Sequence, residues 1–271
     1  MNVNSVINQY SRTGNAGVGT TIIPGSNSQS GDISGSWSDR PTITYSPMAG
    51  AAFSENLLTP LPPSALFFLV QSGWSVHRAL RLTTNVINGH INSAASPGWR
   101  RNASPEFDTL LAALQRIQYA NSLGIKMETH EKKQTINLYF PEVSLNDSVR
   151  NDIARIKRIL QLRSDLNSFP ITYGLIQDSD EAVIVQTRSI LEILFDLSYH
   201  VEAPEEHITE GVTGTTFVPA DGRGFKVRSS KNKPDRAVVA ISTRDYWFYI
   251  DDRDLLSKGT FAFVQIVMSM A

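Results

Sequence analysis

Near the C-terminal end of the chain, three apolar blocks follow one another with little polar relief. Ala237–Ser242 and Tyr246–Ile250 are continuous runs of strand length. Leu255–Met270 follows as a segment of helix length in which Lys258, Gln265 and Ser269 are the clearly polar positions. A strand that is apolar on both faces belongs inside a sheet with cover on each side. A helix that is apolar around most of its circumference belongs in the core or against a partner. Thr243-Arg244-Asp245 between the two runs is a tight-turn signal. This end of the chain therefore predicts two central strands and a buried helix.

Upstream, helical and strand patterns alternate. Ser64–Ser72 reads as a short helix stopped by Gly73, and Ser75 as the cap of a second helix, with Val76, Leu80, Thr83 and Ile87 at helical spacing. Ser104-Pro105-Glu106 is a strong helix start. Phe107, Leu110, Leu111, Leu114 and Ile117 form the apolar face behind it, and Gly124 is the expected stop. Residues 125–129 and 135–140 suit a hairpin across His130-Glu131-Lys132-Lys133. Residues 146–161 suit a surface helix that turns Val149, Ile153, Ile156 and Leu160 inward and Arg150, Asp152, Arg155, Lys157 and Arg158 outward. Residues 170–176 and 182–185 read as strands. Thr187 is the expected cap of a helix running from Arg188 to His200, whose narrow polar stripe is Arg188, Glu192, Asp196 and His200.

The first forty-six residues differ in character. Val3–Tyr10 and Pro41–Tyr45 suit extended strands. Between them, Ser11–Ser38 is dominated by Gly, Ser, Thr and Asn, which predicts a long loop or mobile connection. Low charge with many hydroxyls and amides is also common on secreted and envelope surfaces. The expected fold is α+β, a mixed β-sheet with packed helices and a mostly helical N-terminal section. The domain boundary is drawn between 1–124 and 125–271, or the two form one continuous domain. With 271 residues and 41% hydrophobic content, the chain can bury a large core.

Composition narrows the function classes. A net charge of -1 argues against a general nucleic-acid or membrane-surface binder. The absence of cysteine excludes disulfides, thiolate zinc sites and a cysteine nucleophile. No stretch approaches the roughly 20 apolar residues of a spanning helix. No serine sits in a G-x-S-x-G elbow. Gly14, Gly17 and Gly19, like Gly211 and Gly214, fit neither the dinucleotide nor the P-loop pattern. No catalytic residue is assigned, and no cofactor is implied.

Two clusters are candidate metal ligands. Asp251, Asp252 and Asp254 offer oxygen donors where a strand meets a helix; the competing reading is a helix cap and an acidic first turn. His200 and His207 lie close in sequence to Glu202, Glu205 and Glu206, but HExxH is absent and Pro204 interrupts the spacing, so a solvated loop is the competing reading. The basic run Arg223, Lys226, Arg228, Lys231, Lys233 and Arg236 has the charge to bind an anion. It equally suits a solvated, guarded strand edge.

Several phrases occur together: Trp37-Ser-Asp-Arg-Pro-Thr-Ile-Thr-Tyr45, Leu57-Leu-Thr-Pro-Leu61, Ser72-Gly-Trp-Ser75, Thr187-Arg-Ser189, and Tyr246–Asp254 leading into Ser257-Lys258. In these the chain resembles a group of uncharacterised envelope lipoproteins of Gram-negative bacteria. The resemblance implies a periplasmic or outer-membrane-tethered domain, with an acylated cysteine and a signal segment upstream of this sequence, and no activity. The leading expectation is a non-enzymatic envelope protein acting by protein–protein contact, touching the membrane only through that anchor. The alternatives are a hydrolase or metal-dependent enzyme using the carboxylates near Asp251–Asp254, and a structural subunit of a larger assembly in which Ser11–Ser38 orders on a neighbour. A cytoplasmic protein remains the alternative location.

Overall fold

The computed structural model describes residues 2–23, 26–46, 51–96, 99–130, 133–141, 146–217 and 224–270. The chain forms two compact units, Met1–Ser54 and Glu55–Ala271. The boundary drawn at 124 from composition falls inside the second unit.

In the first unit, β1 (Asn2–Ile23) pairs antiparallel with β2 (Ser26–Ser46), in register from Ser5↔Thr44 to Ile23↔Ser26. Val3–Tyr10 thus finds its partner in the Pro41–Tyr45 strand, and the segment expected as a loop is the body of the ladder. Main-chain hydrogen bonds do not depend on apolar side chains, and the composition conceals a period of two. Serines occupy 26, 28, 30, 34, 36 and 38, all at even positions of the sequence.

α1 (Ala51–Leu58) leads into α2 (Pro63–Gln71), which ends where Gly73 takes a φ of 98°. α3 (Val76–Thr83) is capped by the Ser75 hydroxyl, which accepts from the Arg78 amide. The helix stops there. Thr84–Ile87, expected as its continuation, is β3, since β-branched Thr84, Val86 and Ile87 favour extended backbone. β4 (His90–Ile91) and a short ribbon of β5 (Ala94–Ser96) and β6 (Trp99–Arg101) follow. α4 (Pro105–Tyr119) starts at the Ser104 cap and ends before Gly124; Asn121 takes the left-handed turn instead.

β7 (Gly124–His130) and β8 (Lys133–Tyr139) form the expected hairpin. α5 (Asp147–Ile159) precedes β9 (Ser168–Tyr173) and β10 (Val183–Thr187), which run parallel. The main sheet has the order β4-β3-β10-β9-β8-β7, and its other pairs are antiparallel. The fold is α+β with a mixed sheet. α6 (Ile190–Ser198) and the short α7 (Glu205–Thr209) lead to a three-stranded sheet of β11 (Arg228–Ser230), β12 (Ala237–Thr243) and β13 (Tyr246–Asp251), with β13 in the middle. α8 (Leu255–Met270) closes the described chain.

Within the Glu55–Ala271 unit, one core joins the main sheet to the helices packed on it. It includes Leu66 of α2, Leu80 of α3, Phe107 and Leu111 of α4, Ile156 of α5, Phe169 of β9, Val185 of β10 and Phe263 of α8. Phe263 meets Trp74 edge-to-face at 5.2 Å.

Burial corrects three expectations. Asp152 and Lys157, read as solvent-facing, are buried. Asp152 accepts a two-pronged bond from Arg116 at 2.6 and 2.7 Å, which holds its carboxyl below the ordinary range. Lys157 donates to the Ser164 carbonyl and to Asn167 Oδ1, both at 2.9 Å. β12, read as a covered central strand, lies at the margin of its sheet, with Val238 and Ile241 exposed. α8 buries only one stripe, through Ser257, Thr260, Phe263, Val264 and Val267, and leaves Leu255, Leu256, Met268 and Met270 in solvent.

Candidate functional site

The acidic cluster is used locally. Asp254 accepts from the Ser257 amide at 3.0 Å and from its hydroxyl at 2.7 Å, so it caps α8. Asp252 pairs with Lys258 at 2.7 Å, and this bond holds its carboxyl below the ordinary range. Asp251 accepts from the Arg253 amide at 2.9 Å and closes the turn after β13. His200 lies edge-on to Phe217 at 5.3 Å, and His207 edge-on to Tyr246 at 5.1 Å. Among the described residues, no three histidine or carboxylate side chains gather as a metal site would require.

The His200 ring is nevertheless unusual. Its Nδ1 is buried and has no hydrogen-bond partner. Burial holds its pKa below the ordinary imidazole value, and the nearby Asp196 carboxylate only partly offsets this.

Arg188 anchors a polar cleft of about 230 Å³, bounded by the β5–β6 ribbon, β3 and the start of α6. The Ser189 hydroxyl caps α6 in a reciprocal box with Glu192, so Thr187, the expected cap, stays in β10. This shift of two residues turns Arg188 inward, with its side chain 1% exposed. Arg188 Nε donates to Asn85 Oδ1 at 3.0 Å, and Nη1 donates to the Leu82 carbonyl and to Asp196 at 3.2 Å. Nη2 donates to the Ser93 carbonyl. Within the stripe, Arg188 pairs with Asp196, two turns along, rather than with Glu192. Glu192 is occupied by the cap and by the Asn85 amide at 3.0 Å. Both carboxylates of the cleft are therefore engaged, and no histidine lines it. The cleft is a structural node that holds β3, the ribbon and α6 together, with no free general base.

Of the basic run, Arg228 opens β11, Lys231, Lys233 and Arg236 follow in the link to β12, and Arg223 lies outside the described residues. Lys231 pairs with Glu206 at 2.6 Å and sits over the Tyr246 ring; Lys233 sits over Trp247. Tyr246 donates to the second Glu206 oxygen at 2.9 Å. Both rings come from β13, the neighbouring strand, and these contacts fasten the end of β11 and α7 to it.

The opposite margin is different. Arg244 and Asp245, both with positive φ, form the two-residue turn between β12 and β13. In such a hairpin, the residues flanking the turn exchange hydrogen bonds and the next pair does not. Trp247 and Tyr249 therefore offer their backbone groups to β11, and Ala240 and Ser242 offer theirs outward. Among the described residues, no strand pairs with this margin. β12 carries no charged residue, and Ile241 is 60% exposed. An apolar run in sequence is the same for a doubly covered strand and for an uncovered one, so this edge shows only in the strand order.

No family model, no curated protein and no solved structure matches this chain.

Proposed function

We propose that this is a non-enzymatic protein of the bacterial envelope that works by protein–protein contact, and that the outer margin of β12 is where a partner docks. The observation that carries the reading is an uncharged, exposed edge strand with outward backbone groups at Ala240 and Ser242. Natural edges are blunted by lysine, proline or a covering element. Within its length β12 has no lysine and no proline, and its one irregularity is a register shift between Ala237 and Val239, at the end far from the turn, while the other margin of the same sheet opens with Arg228. A partner segment in extended conformation would complete the ladder by main-chain hydrogen bonds and cover Val238 and Ile241. The engaged carboxylates at Asp251, Asp252 and Asp254 and the engaged cleft around Arg188 favour this reading over hydrolysis or metal chemistry. The envelope assignment rests on the resemblance of the quoted phrases.

A photo-crosslinking residue placed at Ser242, in cells that make the protein, tests the reading. A discrete protein adduct is expected at Ser242 and none at Tyr119, an exposed aromatic on α4. Equal labelling at both positions, or none at Ser242, refutes it.

A further inference from the structure

The chain reversal after α5 builds a second cavity. Gln161 takes a φ of 52°, and the Leu162 amide donates back to the Lys157 carbonyl at 2.8 Å, which ends the helix in a tight cap. The chain that follows folds against α5 and is braced there. The Lys157 ammonium donates to the Ser164 carbonyl and to Asn167 Oδ1, and the Asn167 carbonyl accepts from the Phe140 amide at 2.9 Å. Helix, reversal and the end of β8 are thereby fixed around a cavity of about 430 Å³. That volume is within the range of small-molecule sites, which are concave and already formed before the ligand arrives.

The lining changes character with depth. Phe140, Ile153 and Leu162 are apolar and buried, and they form the floor. Arg150 and Arg158 line the same cavity from exposed positions at its mouth. Each lies four residues from Ala154, so the three share one line of α5, with the smallest side chain between the two long cationic ones. Among the described residues, no carboxylate lines the cavity. Arg150 does approach Asp147, but at 3.8 Å and with both side chains mostly exposed, a contact too weak to compete with a bound anion.

We infer that this cavity binds a small, single-tailed amphipathic anion. Its hydrocarbon body rests on Phe140, Ile153 and Leu162, and its anionic head meets Arg150 and Arg158, whose planar forks match a carboxylate in two-pronged geometry. Lys157 is a positioning residue: its ammonium braces the wall, and the two arginines recognise the head. At about 30 Å³ for each water-sized group, the cavity holds on the order of a dozen non-hydrogen atoms. A medium-length acyl chain fills it, and a two-tailed lipid does not fit. This inference does not depend on the β12 edge.

The test is calorimetric titration of the full chain with octanoate, 1-octanol and acetate. Octanoate is expected to bind saturably, one per chain, and octanol and acetate each at least tenfold more weakly, because each lacks one half of the recognition. Arg150→Gln with Arg158→Gln should weaken octanoate tenfold or more and leave octanol within about twofold. Ala154→Leu, which fills the space between the arginines, should weaken both. Arg155→Gln, an exposed position on α5 outside the cavity, should change neither. All four positions are exposed, so every variant should keep the wild-type melting transition. The inference is overturned if octanoate does not saturate the wild-type chain or if octanol binds as tightly as octanoate. Wild-type octanoate affinity in the double arginine variant or in Ala154→Leu overturns it as well.

Discussion

Replacing Arg188 with leucine should destabilise the Glu55–Ala271 unit by about 3–4 kcal/mol. The guanidinium serves four acceptors: Asn85 Oδ1, the Leu82 and Ser93 carbonyls, and Asp196. Removing one partner of a buried ion pair costs about 3–5 kcal/mol, because the other charge is stranded. Asp196 retains 17% of its exposure, so water recovers part of its solvation and moves the cost toward the lower end. Each carbonyl left without a donor costs a further ~1 kcal/mol where water cannot reach it. In equilibrium urea unfolding followed by tryptophan fluorescence, this corresponds to a midpoint lowered by roughly 1–2 M at an unchanged slope. Arg188→Lys should recover only a minor part, because an ammonium cannot reproduce the planar fork. Arg188→Leu with Asp196→Leu should be more stable than Arg188→Leu alone, since the stranded charge is gone. A loss below about 1 kcal/mol for Arg188→Leu would show that the guanidinium is not the structural node described above.

Three further outcomes follow from the same packing. Phe263→Asp places a carboxylate at a site 1% exposed, next to Trp74, and should abolish the cooperative melting transition, at a cost of several kcal/mol; a soluble variant with wild-type melting would contradict this. Asp254→Ala removes the α8 cap and should cost about 1 kcal/mol in urea unfolding, with no change in bound metal by elemental analysis; loss of a stoichiometric metal would revive the metal reading. The half-buried imidazoles of His200 and His77 have folded pKa values below the ordinary value of about 6.5. The unfolded chain therefore binds protons that the folded chain refuses, and stability present above about pH 6.5 is lost as pH falls through and below it. His200→Gln should flatten a denaturation series between pH 8 and 5, and an unchanged slope would refute the assignment.

Much of the second unit was legible because its signals are local. Ser104-Pro105-Glu106, the Ser75 cap and the 125–140 hairpin all follow from short-range chemistry, and each stands where that chemistry places it. The misreadings have a shared cause, in that partners distant in sequence decide them. Asp152 looked exposed on an amphipathic helix until Arg116 reached it from α4. Lys157 is buried because its ammonium finds Ser164 and Asn167. β12 and α8 looked fully covered, yet hydrophobicity reports what burial would gain and not whether a neighbour is present to provide it. The hairpin was hidden for the opposite reason. Gly and Ser argue for loops by composition, and only the alternation from Ser26 to Ser38 carries the strand period. For the docking edge, the tight turn at Thr243-Arg244-Asp245 was readable, but the strand order that leaves β12 outermost was not.

The most direct measurement is residue-resolved hydrogen exchange across β12, first in the purified chain and then in the chain recovered with the protein crosslinked at Ser242. In the free chain, the outward amides of Ala240 and Ser242 should exchange fast while those of Val239 and Ile241, bonded to β13, exchange slowly. In the recovered complex, Ala240 and Ser242 should slow by roughly tenfold or more as a partner strand takes their hydrogen bonds. Strong protection of all four amides in the free chain, or unchanged exchange at Ala240 and Ser242 in the complex, would contradict the proposed docking edge.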